Sequence, residues 1–334
     1  NPTVLDGEGL GPVVYAETAG ITVTVSGLTL QRGNGYGVYM QNARLLMTNC
    51  EVISGTSGSA VILHTSVGSE VRDSRIVGNT ATGVYVYNYS DDVLLSGNTV
   101  SDNSGYGVYI RNYNDNVMVS GNTIEGNANH GVYINNTNYG TVLSENAING
   151  NGRYGVYLAS YNDGTLLSDN MIDSNSEYGV SLYYYNDDVV LSGNSIRNNG
   201  YSGVYTHRYN QYSLFKGNVI VGNGGRGVMF ESSYASSNAT FEGNTIADNT
   251  TDGLLVYGSN HRLDNNLIVR NGDDGLEWVS GSGTLRHNTL SDNVGGAGLR
   301  VGSATLVLTN TIISGHSYGI LTTEIGANVQ ADHT

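Results

Sequence analysis

The residues best suited to chemistry lie between positions 252 and 300. Successive Gly residues at 253, 275 and 298 mark a repeat, so Asp252 precedes Asp274 by one repeat. Glu277 and Arg300 share one column of that repeat, with Met229 and Leu255. Glu231, Tyr257, Val279 and Gly302 form a second outward column. Asp252, Asp273, Asp274, Glu277 and Arg300 can therefore converge. Paired carboxylates suit general acid and base hydrolysis. The same carboxylates around Ca²⁺, with Arg300 as base, suit β-elimination. The other reading of the same residues is a structural role.

A second acidic feature is a turn containing Ser90-Asp91-Asp92, Asn114-Asp115, Asn162-Asp163 and Asn186-Asp187-Asp188. Carboxylates stacked about 4.8 Å apart repel one another, and a Ca²⁺ ion relieves that repulsion. Asp187 and Asp188 join Asp273 and Asp274 as Ca²⁺ candidates. Tyr139 and Gln211 interrupt the column, and a solvated turn is the other reading. The expected cofactor is none, or Ca²⁺.

Tyrosines supply the third feature. In the recurring G-V-Y-I segment Val and Ile point inward, so Tyr39, Tyr85, Tyr109, Tyr133, Tyr157 and Tyr205 point outward in a column. Six residues after each Gly stands a second column, Tyr89, Tyr113, Tyr161, Tyr185 and Tyr209. Aromatic ladders beside Asn and Asp give a sugar chain ring surfaces and hydrogen bonds. Tyrosine also simply fits a pleated surface and stabilises cross-strand stacks.

These positions are set by a repeat. Gly83, Gly107, Gly131, Gly155, Gly179, Gly203 and Gly227 are each 24 residues apart. Each unit has three apolar patches, as in Gly107 to Ile110, Val117 to Val119, and Asn122 to Ile124. They are short, β-branched and bounded by Gly, Asn, Asp or Ser, which is how strands read. No apolar run has a period of 3.6, and 47 Gly residues would weaken helices throughout. A fixed period of this size marks a solenoid. The expected architecture is all-β, a parallel solenoid of about 13 rungs of about 24 residues with three short strands per rung. One inward stack runs from Val100 through Ile124, Ile148, Ile172, Ile196, Ile220, Ile246, Ile268 and Leu290 to Ile312. Two Asn columns accompany it, one from Asn98 to Asn310 and one from Asn79 to Asn293. Their expected role is structural, as turn residues bonding from rung to rung. Cys50 stands in the first column as a small substitute.

The segment SGNTIEGNANHGVYI, Ser120 to Ile134, resembles the right-handed parallel β-helix repeat of the pectate-lyase-like superfamily. The resemblance covers nearly the whole chain and implies a right-handed coil. That superfamily includes lyases, hydrolases, epimerases, tailspikes and adhesins, so it implies no single activity. Asn271 to Trp278, NGDDGLEW, also resembles the N-x-D-D-G-x-D segment of family 9 polysaccharide lyases, whose acidic residues hold Ca²⁺. Glu277 stands there in place of an Asp. The polygalacturonase motifs and the D-P-H-E signature of mannuronan epimerases are missing; Gly315-His316-Ser317 is a partial echo of the former.

Other classes are disfavoured. The net charge is −15, with 14 basic residues. Lys216 is the sole lysine, so no basic stripe meets phosphates of nucleic acid or anionic lipid. The histidines at 64, 130, 207, 261, 287, 316 and 333 follow no metal-binding spacing. No transmembrane run appears. Low Lys with abundant Asn, Gly, Ser, Thr and Tyr resembles secreted bacterial surface proteins, so an extracellular or cell-surface setting is expected.

One domain spans 1–334, with less regular rungs at 1–82, regular repeats at 83–226 and irregular rungs at 227–334. The ends lack caps, which implies a longer chain, partners, or self-association there. Three function classes stand. The leading one is a non-catalytic rigid or adhesive module whose tyrosine face meets carbohydrate. The alternatives are a polysaccharide lyase or hydrolase, and a tailspike or filament subunit.

Overall fold

The computed structural model describes residues 3–53, 55, 58–231 and 238–332. His333 lies outside them. The chain divides into two compact units, residues 1–166 and 167–334. Both are parallel β-solenoids, about 13 turns in all. Among the described residues the regular elements are all strands. No helix is long and apolar enough to cross a membrane.

In residues 1–166 each full repeat forms three strands, as in Val108–Arg111, Met118–Ser120 and Thr123–Glu125. Each pairs in parallel with its counterpart one turn away. Val84 faces Val108, which faces Val132, which faces Val156. Leu95, Val119 and Leu143 align likewise, as do Ile76, Val100, Ile124 and Ile148. These three stacks are buried and fill the coil. Alternation along each strand puts the intervening residue outside: Val108 and Ile110 are buried while Tyr109 is half-buried. The Gly before the Val is sterically required. A Cβ on Gly107 would stand 2.5 Å from Ile124 Cγ2 and 2.6 Å from the Gly131 carbonyl.

The corners are held by buried asparagines. The Asn98 amide nitrogen donates to Val71 O at 2.8 Å and to Asn122 Oδ1 at 3.0 Å, and the Asn98 backbone N–H donates to the same Oδ1 at 2.9 Å. The pattern repeats along both expected columns. Polar groups that would be costly to bury are thus satisfied within the stack. Cys50 continues the column: its N–H donates to Ser74 Oγ, whose own backbone N–H donates to Asn98 Oδ1. A third ladder also exists. Ser90, Asn114, Asn138 and Asn162 are buried and bonded turn to turn. The Asn of the N-D turn is therefore a corner post, and only its Asp faces out.

In residues 167–334 the same stacks recur, including Val180, Val204, Val228, Leu254, Leu276 and Leu299. The turns here are shorter, so first and second strands fuse into Leu254–Asp264, Leu276–Arg286 and Ala297–Thr309. Aromatic rings fill this core. Phe215 and Phe241 stack at 4.6 Å, and Phe230, His261 and Trp278 pack beside them. Trp278 is fully buried. A Cβ on Gly283 would lie 2.0 Å from its ring, so Gly is needed there.

Three expected positions change. Leu290 pairs with Ile313, and Ile312 is 59% exposed. Asn310 is also exposed; Thr311 takes the buried corner. The reason is local. Asn310 adopts a left-handed φ of 48°, as Asn265 and His287 do immediately before the ladder residues Asn266 and Asn288. It is the turn residue, one step short of the column. Finally, Tyr257 pairs with Ser280, not Val279, because the register shifts after Val256.

Candidate functional sites

The tyrosines of residues 1–166 form the expected columns, with a feature the sequence does not reveal. Tyr85 and Tyr109 stack at 4.8 Å, Tyr109 and Tyr133 at 4.7 Å, and Tyr133 and Tyr157 at 5.0 Å, all within 6° of parallel. In-register pairing fixes this spacing. The faces of Tyr109 and Tyr133 are covered by neighbouring rings, and only edges and hydroxyls reach outward. Tyr15 and Tyr39 make a separate stack, because Ile62 stands in the column between Tyr39 and Tyr85. Arg111 lies over Tyr87 at 6.0 Å. Burial raises the Tyr133 hydroxyl to about 12, so it stays protonated and can donate.

Behind this column stand Tyr106, His130 and Tyr154, each just before a repeat Gly. His130 is 4% exposed and its Nδ1 accepts the Tyr154 N–H at 3.1 Å. Burial, and then the nearby Arg153 charge, push its imidazole down to about 3. It is a neutral structural residue.

The second column is more open. Tyr89, Tyr113 and Tyr161 are 57%, 49% and 49% exposed. Tyr89 and Tyr113 stack at 5.3 Å. In residues 167–334, Tyr185 and Tyr209 do the same at 4.6 Å. The Asp residues beyond are occupied by backbone. Asp91 Oδ1 accepts Asp115 N–H, Asp115 Oδ1 accepts Tyr139 N–H, and Asp187 Oδ1 accepts Gln211 N–H. Main-chain donors thus relieve the stacked carboxylates. Asp188 is a turn residue with φ 54°.

In residues 167–334, Ser181 interrupts the inner tyrosine column and is buried. Tyr178 covers the gap and stacks on Tyr205 at 4.8 Å. Tyr205 donates its hydroxyl to Glu231 at 2.8 Å and lies 2.9 Å from His207 Nδ1. Burial and that carboxylate raise the Tyr205 hydroxyl strongly.

The acidic group does assemble. Oxygens of Asp252, Asp273 and Asp274 lie within 4.8 Å of one another. Asp252 and Asp274 are buried, at 3% and 2% exposure, and each is ion-paired. Arg226 Nε is 2.6 Å from Asp252, and Arg300 clasps Asp274 through two nitrogens. Each also accepts a backbone N–H from the next turn, from Asp274 and Ala297 respectively. Asp273 is exposed and Glu277 half-buried, next to Arg300 in register. Burial, then the neighbouring carboxylates, raise both their pKa values. Close packing continues at Gly296, where a Cβ would meet Asp274 Oδ1 at 2.1 Å. Arg300 is held charged by Asp274, which suits it to stabilising an anion rather than taking a proton. A Ca²⁺ ion here would compete with two guanidinium groups for the same oxygens. Arg226 escaped the sequence reading, although it stands in the column of Asp252 and Asp274, just before a repeat Gly.

The fold is shared with known proteins. Residues 13–170, 136–290 and 232–333 match the family described as the right-handed β-helix region. The chain belongs to the right-handed β-helix family. Among solved structures, this β-helix is similar to the A-module of the Azotobacter vinelandii mannuronan C-5 epimerase AlgE4. That likeness has a TM-score of 0.65 and 14% identity, over 93% of this chain and 91% of that one. It is similar to the periplasmic alginate epimerase AlgG at TM-score 0.57 and 12% identity, over 93% and 85%. It is also similar to the bacteriophage CBA120 tailspike protein 3 at 0.57 and 11%, over 94% and 55%. At these identities the likeness is one of fold. No curated protein sequence matches.

Proposed function

We propose that this β-helix is an extracellular or periplasmic glycan-binding protein, acting as a rigid adhesive module through the tyrosine-bearing face of residues 1–166. The observation that carries the reading is the column Tyr85, Tyr109, Tyr133 and Tyr157, in register at 4.7 to 5.0 Å with polar residues beside it. It offers a regular row of hydroxyl edges to an extended polyhydroxylated chain. The fold neighbours that are epimerases of mannuronan and alginate support the choice of a polysaccharide. The test is affinity electrophoresis in gels containing single polysaccharides. Retardation by one glycan, lost on replacing Tyr109, Tyr133 and Tyr157 by Ala with the fold intact, supports the reading. A triple variant retarded like the parent refutes it.

The acidic cluster favours a second reading, an enzyme of the lyase, epimerase or hydrolase type. Glu277 and Asp273, with raised pKa values beside the guanidinium groups of Arg226 and Arg300, would serve proton transfer next to an anion-stabilising pair. Asp252 and Asp274 would hold the arginines in position. Incubation with alginate and polygalacturonate, reading unsaturated product, reducing ends and C5 inversion, decides it. Turnover abolished by Glu277→Gln would establish this reading; silence across all three readouts would remove it.

A further inference from the structure

The outer tyrosine column contains one gap. Tyr89 and Tyr113 stack at 5.3 Å and 8°, and the next turn then places Thr137 where a ring would stand. Tyr161 follows one turn later. The backbone is not displaced: Tyr113 N–H donates to Thr137 O at 2.9 Å, and Thr137 N–H donates to Ser160 O at 3.2 Å. One face of Tyr113 is covered by Tyr89, and the other looks across Thr137 with no ring against it among the described residues.

We propose that this gap is a slot for a single saturated sugar ring of a neutral glycan, stacked on Tyr113 above Thr137 with Tyr161 as the far wall. The inference rests on the glycan-binding reading and locates where sugar stacking is possible. It is not possible on Tyr109 or Tyr133, whose two faces are covered by rings. Two turn spacings separate Tyr113 from Tyr161, about 9.6 Å. Two stacking distances at the short end of the aromatic range, about 4.5–5 Å each, sum to that width. A single six-membered ring inserted there meets both walls, and the polar groups around it suit a sugar ring. Asp115 and Tyr139, two residues along the same turns, and the exposed Asn136 supply polar groups for ring hydroxyls. The Asp115 carboxylate and the net charge of −15 select against a polyanion.

The backbone is strained at the slot, as it is along the rest of the column. Tyr113 and Thr137 adopt φ values of 57° and 58°, left-handed conformations that bulky and β-branched side chains resist. Gly or Asn would relieve that strain, and Asn occupies neighbouring left-handed positions such as Asn112 and Asn136.

The experiment is titration calorimetry on the full chain with neutral hexasaccharides of glucose and mannose in β-1,4, α-1,4 and β-1,3 linkages, and with alginate hexamers. Thr137→Tyr fills the slot with the residue native to the column. Tyr113→Ala removes its wall; both variants are checked for an unchanged melting temperature. Binding of a neutral hexasaccharide, weakened about tenfold or more by each variant, is the expected result, the size of a lost aromatic contact. Binding unaltered by Thr137→Tyr and Tyr113→Ala overturns the slot while leaving the glycan reading intact. Preference for alginate overturns the neutral assignment. Absence of any glycan binding overturns both, and capture of aromatic peptides alone would assign the slot to a protein partner.

Discussion

His130 offers a quantitative check on the packing behind the tyrosine face. It is buried, accepts the Tyr154 N–H through Nδ1, and has its pKa pushed down to about 3. An unfolded His titrates near 6.5. The folded pKa is depressed, so the neutral ring contributes stability that is present above pH 6.5 and is lost as pH falls towards the folded value. One bound proton of difference changes stability by about 1.4 kcal/mol per pH unit. From pH 7.5 to pH 5 the unfolded state gains a proton that the folded state refuses, a loss of about 2 kcal/mol. Other carboxylates titrate over the same range, so the comparison needs a variant. His130→Tyr is the natural choice, since Tyr106 and Tyr154 occupy the same column. It loses the acceptor for Tyr154 N–H, which leaves it less stable than the parent by about 1 kcal/mol at pH 7.5. Urea unfolding of parent and variant across pH 4.5 to 8 reads the effect. The stability difference should shift by about 2 kcal/mol in the variant's favour between pH 7.5 and pH 5. A pH-independent difference would mean that His130 charges within the folded protein, and the account of its burial would fail.

Three further outcomes follow from the geometry. Glu277 has a raised folded pKa, so its penalty is absent below about pH 4.3 and grows as pH rises through the folded value; thermal melts should show Glu277→Gln stabilising at pH 8 and neutral at pH 4. Arg226→Met strands Asp252 in a buried site without its counter-ion, which should cost about 3 kcal/mol in urea unfolding, with Asp252→Asn added to the same chain recovering part of the loss. Gly107→Ala forces a Cβ against Ile124 and the Gly131 carbonyl, and calorimetry should show a loss of about 2 kcal/mol or more.

The repeat made the fold legible because a parallel coil places identical residues on top of one another. Interval counting therefore locates Val108 and Ile124 inside, Tyr109 outside and Asn122 at a corner. It failed where one residue changes the register. Asn310 looks like a ladder residue, but the left-handed turn comes one place before the ladder and Thr311 is the buried member. The side-chain partners were less accessible. Convergence of Asp252, Asp273 and Asp274 follows from column positions, but the pairing of two of them with Arg226 and Arg300 depends on side-chain reach across turns. The ring stacking of Tyr85 to Tyr157 is implied by the 24-residue period, yet its consequence, that the ring faces are hidden, is a matter of distance. The gap at Thr137 is visible in the sequence as a missing tyrosine and acquires meaning only once its neighbours are known to be stacked.

The central claim is that a glycan meets the tyrosine face of residues 1–166. Its most direct test is a spectrum of ring-¹³C-labelled tyrosine, recorded while a retained polysaccharide or its hexamer is added. Assignments come from single Tyr→Phe variants. The account predicts shifts concentrated at Tyr85, Tyr109, Tyr113, Tyr133, Tyr157 and Tyr161, with Tyr257 and Tyr318 unmoved. Shifts confined to Tyr178 and Tyr205, on the side of the acidic cluster, would contradict it and move the working surface to Asp252, Asp274 and Arg300.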